Sequence, residues 1–177
     1  MTGMRKELSN FMIILISFIV NIKFMKKVLV LCTGNSCRSQ MAEGWLKYYS
    51  GDQAEIFSAG IESHGLNLIA VRVMMDAVID ISGNKSKTID ELPDDEFDFI
   101  ITVCDNADEN CPNFPGKAVR IHKNFPDPSK AKGNEEDILN VFADVRDMIE
   151  DFCFDFVNEN IRALIPDDMD KLTKKDD

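Results

Sequence analysis

The sequence predicts an α/β fold: a single domain on a parallel sheet, with helices on both faces. Three observations predict it. Short apolar runs alternate with stretches whose apolar residues recur at helical spacing. The first run, residues 28–31, is apolar throughout, as in a strand buried on both faces. Polar loops follow the strands, and in such sheets ligands bind at the strands' carboxyl ends.

Each element has its own signal. After a loop over residues 32–38, Met41, Ala42, Trp45, Leu46 and Tyr49 mark a first helix. Residues 54–58 read as a second strand closed by Ala59 and Gly60. Leu68, Ile69, Val71, Met75, Val78 and Ile79 outline a second helix with its stop near Gly83. Residues 97–103 form a third strand and residues 119–121 a short fourth. Asn134, followed by Glu135, Glu136 and Asp137, supplies a cap and early negative charge for a last helix. Ile138, Phe142, Val145, Ile149, Phe152 and Phe156 continue its apolar stripe.

Composition narrows the function. The chain has 177 residues, 45% hydrophobic and 29% charged, typical of one globular domain. A net charge of −11 repels a polyanion such as nucleic acid, so any anion site must be a local cluster of donors. Five cysteines, an odd number, do not make a secreted disulfide framework; reactive thiols in the reducing cytoplasm fit better.

The two ends are set apart from the domain, which spans residues 25–165. Residues 1–24 read as an N-terminal extension. Its apolar stretch, residues 11–20, follows Arg5 and Lys6 like a signal segment, but it is short for a bilayer and no small-x-small cleavage site follows. A start codon placed upstream of Met25 accounts for it better than a membrane anchor does. Residues 166–177 read as an acidic tail.

The segment richest in chemistry is Cys32-Thr33-Gly34-Asn35-Ser36-Cys37-Arg38-Ser39, between a strand and a helix. Successive amides of a tight loop form an anion nest, and the helix adds its positive dipole end. Gly34 admits backbone geometry that other residues resist, and Asn35 tolerates the left-handed region and braces the loop with its side-chain amide. Arg38 offers a planar fork to two oxygens of a tetrahedral oxyanion. In that field Cys32 is expected as a thiolate, its pKa lowered from about 8.5 to about 7 or below, with Ser39 donating to the sulfur. Thr33, Ser36 and Cys37 complete the oxyanion loop, Cys37 in a structural role.

This Cys-x5-Arg-Ser loop after a first strand, with Asp127-Pro128 in a later loop, resembles the low-molecular-weight tyrosine phosphatase superfamily. The resemblance implies four parallel strands in the order 2-1-3-4, and Asp127 as the general acid that protonates a departing oxygen. A second pair separates reductase from phosphatase: Cys104 ends the third strand and Cys111 lies seven residues on, before Pro112. Loop, cysteine pair and Asp127-Pro128 together resemble thioredoxin-coupled arsenate reductases, from about residue 25 to about residue 160. That resemblance implies that Cys32 attacks arsenate (phosphate and sulfate being analogues), Cys104 attacks the sulfur–arsenic adduct, and Cys111 resolves the disulfide for reduction by thioredoxin. It implies a monomer with no tightly bound cofactor. It further implies a potassium ion beside the loop at positions matching Asn35, Glu43 and Ser58, with Thr88 and Asp90 matching only across a gap.

Geometry constrains that pair. Were residues 104–111 helical, the two Cα atoms would stand about 10 Å apart, whereas a disulfide needs about 4.4–6.8 Å; the segment is therefore expected to loop out when they join. Zinc does not suit a seven-residue offset without a second pair. Cys153, on an apolar helix face, reads as core, and His64 and His122 as lone loop histidines. Two other functions compete: a phosphatase working through a Cys32 phosphoenzyme, and a non-catalytic thiol module that binds metalloid or senses oxidation.

Overall fold

The computed structural model describes residues 25–93, 96–104, 114 and 116–162. The N-terminal extension, the acidic tail and Cys111 lie outside the described residues. Four parallel strands form one sheet in the order β2-β1-β3-β4. These are β1 (Lys26–Cys32), β2 (Ala54–Gly60), β3 (Phe99–Thr102) and β4 (Val119–His122). Register places Cys32 opposite Gly60 and Leu31 opposite Thr102, so the carboxyl ends of β1, β2 and β3 are level.

Val28, Leu29, Val30 and Leu31 are all buried, as a central strand requires. Asp98 fixes the other end of the sheet, pairing with the Lys26 ammonium at 2.7 Å and accepting the Lys27 amide at 2.9 Å. That use of Asp98 starts β3 at Phe99 rather than at residue 97.

Three helices form a layer: α1 (Arg38–Ser50), α2 (Leu68–Asp76) and α3 (Glu135–Asn160). α3 packs on both α1 and α2, and α1 packs on β1 and β2. α1 is buried on nearly every side, from Arg38 through Leu46. Asn134 caps α3 by accepting the Asp137 amide, while the Asp137 carboxylate accepts the Asn134 amide, closing a capping box. Phe142, Val145, Ile149, Cys153, Phe156 and Val157 form its buried face, which places Cys153 in the core as expected. On the sheet face turned away from Ser58, the Phe57, Phe97 and Phe114 rings make edge contacts, with centroids 5.7 and 5.6 Å apart.

α2 departs from the sequence expectation. It ends at Asp76, and its buried residues are Ala70, Val73 and Met74. Leu68, Met75 and Val78, expected toward the core, are 80%, 47% and 88% exposed. The stop is a Schellman motif: the Ile79 amide donates to the Met74 carbonyl and the Val78 amide to the Met75 carbonyl. Val78 takes the left-handed position, φ 64°, that glycine ordinarily fills. The turn brings Ile79, Ile81 and Met74 over Gly44, where no side chain would fit.

Candidate active site

The loop from Cys32 to Arg38 joins β1 to α1, and a strap over residues 61–67 holds it from outside. The Ile61, Glu62, His64 and Asn67 amides donate to the carbonyls of Cys32, Thr33, Gly34 and Ser36, at 3.3, 2.9, 3.0 and 3.1 Å. With these carbonyls tied outward, the loop's amides are free to turn inward, as an anion nest requires.

Asn35 is the keystone. It is fully buried at φ 45°, in the left-handed region expected for it. Its Nδ2 donates to Ser39 Oγ at 3.0 Å and Ser58 Oγ at 2.8 Å. Its Oδ1 accepts the Lys87 amide at 2.9 Å and Gln40 Nε2 at 3.0 Å. Ser39, expected to donate to the Cys32 sulfur, accepts from Asn35 through its oxygen, which leaves its hydroxyl proton available to donate. Gly34 is required for space rather than for backbone geometry: an added Cβ would stand 2.3 Å from the His64 ring.

Arg38 spans two walls of the pocket. Its Nη1 donates to the Phe125 carbonyl at 3.0 Å, and its Nη2 stands 3.3 Å from Asp127 Oδ2. Its Nε is buried with no partner, a donor fitted to an incoming oxyanion oxygen. Asp127 caps the turn Pro128–Lys130, its Oδ1 accepting the Ser129 amide at 3.2 Å and the Ser129 hydroxyl at 2.7 Å. Pro128 at the first position suits a helical turn start.

Cys104 lies two residues past the end of β3, beside Cys32. The two thiols are within hydrogen-bonding reach, and Cys104 Sγ is hydrogen-bonded to Thr33 Oγ1 at 3.2 Å. The hydrogen bond with Cys104, and then burial, push the Cys32 thiol up, while Arg38 and the Gly34 amide pull it down. Two buried sulfurs side by side titrate as a pair, so Cys104 works against the expected Cys32 thiolate while Arg38 and the loop amide favour it. Cys37, expected in the oxyanion loop in a structural role, lines the pocket. Burial pushes its thiol up to about 11, against the opposing pull of Ser36 and Arg38.

These residues enclose a pocket of about 480 Å³ lined by Cys32, Thr33, Gly34, Ser36, Cys37, Arg38, His64, Asp127, Ser129 and Lys130. A second hollow of about 590 Å³ lies on the Cys104 side, against Asn124, Phe125 and Pro126. His64, which the sequence left as a lone histidine, is the site residue that sequence reasoning missed. Its Nε2 is hydrogen-bonded to Glu62 Oε2 at 2.7 Å. The Glu-x-His spacing on an extended strap was the only available signal. His122 also has a partner, Thr102 Oγ1 at 2.9 Å.

The potassium positions do not come together as a set. Asn35, Glu43 and Ser58 meet behind the loop, where Ser58 Oγ donates to the Glu43 carboxylate. The Lys47 ammonium is also paired with Glu43 and already supplies the positive charge there. The Thr88 hydroxyl is turned to Glu91 at 2.9 Å, and Asp90 is exposed. Three of the five positions named for a potassium ion thus meet behind the loop, and the Thr88 and Asp90 side chains are turned elsewhere. Among the described residues no group of three or more His, Cys, Asp or Glu side chains is placed to hold a metal ion.

A cysteine below a nest of amides, facing an arginine fork on a 2-1-3-4 parallel sheet, defines a class: single-domain α/β proteins that receive a tetrahedral oxyanion on sulfur. Residues 27–165 match the family described as low molecular weight phosphotyrosine protein phosphatase. The chain belongs to that family. It is 49% identical over 124 residues to the arsenate reductase of Halalkalibacterium halodurans, covering 70% of this chain and 89% of that one. The arsenate reductase of Bacillus subtilis is 48% identical over the same shares. Among solved structures, an arsenate reductase in the phosphate binding state superposes with a TM-score of 0.63 at 30% identity, covering 76% of this chain and 98% of that one. A Corynebacterium glutamicum thioredoxin-dependent arsenate reductase shares the fold, with a TM-score of 0.55 at 21% identity over 78% of this chain and 63% of that one.

Proposed function

We propose that this chain reduces arsenate to arsenite with two of its own thiols, and that a third thiol hands the resulting disulfide to thioredoxin. The observation that carries the proposal is Cys104 lying against Cys32 at the floor of an oxyanion pocket. A phosphatase has no use for that second sulfur. The similarity to arsenate reductases at close to half identity supports the same reading.

In this reading the inward amides of residues 33–39 and the Arg38 fork hold arsenate above Cys32. The Cys32 thiol gives up its proton to the bound arsenate as sulfur bonds to arsenic, and one arsenic hydroxyl leaves as water with a proton passed on by Asp127. Cys104 then attacks the Cys32 sulfur. The sulfur–arsenic bond breaks with its electron pair left on arsenic, which departs as arsenite. Two thiols have become a disulfide, balancing the two electrons gained by arsenic. Cys111 attacks Cys104 and frees Cys32, and a thioredoxin dithiol reduces the 104–111 bond. Phosphate and sulfate occupy the same pocket as analogues. All three thiols come from one chain, so a monomer suffices, and a reducing cytoplasm keeps them ready. No helix among the described residues is long and apolar enough to cross a membrane.

The test is thioredoxin-driven arsenate reduction in three variants. Cys32→Ser abolishes turnover. Cys104→Ser loses reduction but keeps phosphate binding and slow aryl phosphate hydrolysis. Cys111→Ser completes about one turnover and stalls. Sustained turnover in Cys111→Ser would refute the relay. Aryl phosphate hydrolysis at an ordinary enzyme turnover, about 1–1000 per second, together with no arsenate reduction, would favour the phosphatase that the matched family and Asp127-Pro128 also suggest.

A further inference from the structure

We propose that His64 is a positioning residue of the oxyanion pocket, clamping the loop at Gly34 so that its amides stay aimed inward. This rests on the loop from Cys32 to Arg38 being the oxyanion site, and not on the thiol relay.

Four observations converge on it. The imidazole lines the pocket together with Cys32 and Arg38. Its Nδ1 edge occupies the space directly over Gly34, where the three atoms nearest to an added Cβ all belong to His64, at 2.3, 2.6 and 3.0 Å. The far nitrogen is anchored by Glu62 at 2.7 Å. The backbone of the same two residues is tied to the loop as well, Glu62 to the Thr33 carbonyl and His64 to the Gly34 carbonyl. A side chain about half exposed, with no place in the hydrophobic core, is thus held at both ends against the one loop residue that has no side chain of its own.

The physical consequence concerns Gly34. Its amide is one of the donors that pull the Cys32 thiol down, and a residue without a Cβ is the loosest link in a nest that must be rigid before the anion arrives. The ring fills the missing volume and restricts that link. Its effect is therefore exerted through Gly34, on oxyanion affinity before any chemistry.

Titration with inorganic phosphate tests this without any redox step. His64→Ala should weaken phosphate binding about five- to tenfold and raise KM for arsenate by a similar factor, with kcat nearly unchanged. His64→Gln, which keeps bulk over Gly34, should recover most of the loss. Gly34→Ala, whose new methyl displaces the ring, should weaken phosphate binding comparably. The double variant should be little worse than either single one, because both act on one contact. Thermal unfolding without anion separates a folding defect from a binding one, and His64→Ala should leave the midpoint within about 2 °C. Phosphate affinity unchanged in His64→Ala, or losses that multiply in the double variant, would overturn the assignment. If phosphate binds as expected while arsenate is not reduced, the clamp stands and the reductase reading falls.

Discussion

Cys32 carries two opposed demands. As a nucleophile it needs to lose its proton, and the Arg38 guanidinium and Gly34 amide favour that loss; the neighbouring Cys104 sulfur opposes it. The sequence made the first influence legible through the loop motif. It did not reveal the second, because Cys104 is 72 positions away and only the β1–β3 register brings it close. The expected consequence is directional. Removing the sulfur that raises the Cys32 pKa lowers it, so Cys104→Ala should alkylate at Cys32 at lower pH than the parent. Iodoacetamide modification followed across pH by peptide mass would show the curve displaced toward acid. An unmoved curve would mean that burial alone holds the proton. His64 was hidden for a different reason: its partner Glu62 is two residues away, but its role depends on which residue lies under the ring.

At the scale of elements, hydrophobic period and capping residues made most of the architecture readable. β1, α1 and the capped start of α3 follow from local chemistry, and they place the loop at the carboxyl edge of the sheet. α2 did not, and the reason is one residue. A helix stop is ordinarily announced by glycine at the left-handed position; here Val78 occupies it, so the apolar pattern runs on past the stop and points the reader to Gly83. A β-branched residue at φ 64° costs on the order of 1–3 kcal/mol. Val78 is exposed, so no packing is lost with its side chain. Val78→Gly should therefore stabilise the domain by about 1 kcal/mol, raising the unfolding midpoint by about 2–4 °C. A lower midpoint in scanning calorimetry would contradict that account of the stop. The strap over residues 61–67 was also illegible, since its hydrogen bonds to the loop are backbone ones that no side chain signals.

Across the whole molecule, a strongly acidic chain can offer an anion site because backbone amides and the Arg38 guanidinium are concentrated at one strand edge. The buried thiols also set its response to base. Cys32, Cys37 and Cys153 are all pushed above the ordinary thiol value, Cys153 by burial in the core. A raised folded-state pKa means that the native protein keeps a proton that the unfolded chain releases. Their contribution is complete below about pH 8.5 and is lost as pH rises toward the folded values. Stability should fall above about pH 9, by about 1.4 kcal/mol per pH unit for each such thiol. Urea midpoints taken from pH 8 to about pH 10.5 should decline, and more gently in Cys37→Ala/Cys153→Ala. An identical slope in that variant would assign the decline to other groups.

The central claim is that the sulfurs of Cys32 and Cys104 join when arsenic is reduced. The most direct measurement is peptide mapping of Cys111→Ser after one equivalent of arsenate, without reductant. A 32–104 disulfide formed in step with one arsenite per chain is the predicted result. Arsenite released while both thiols stay free, or a disulfide between any other pair, would contradict it.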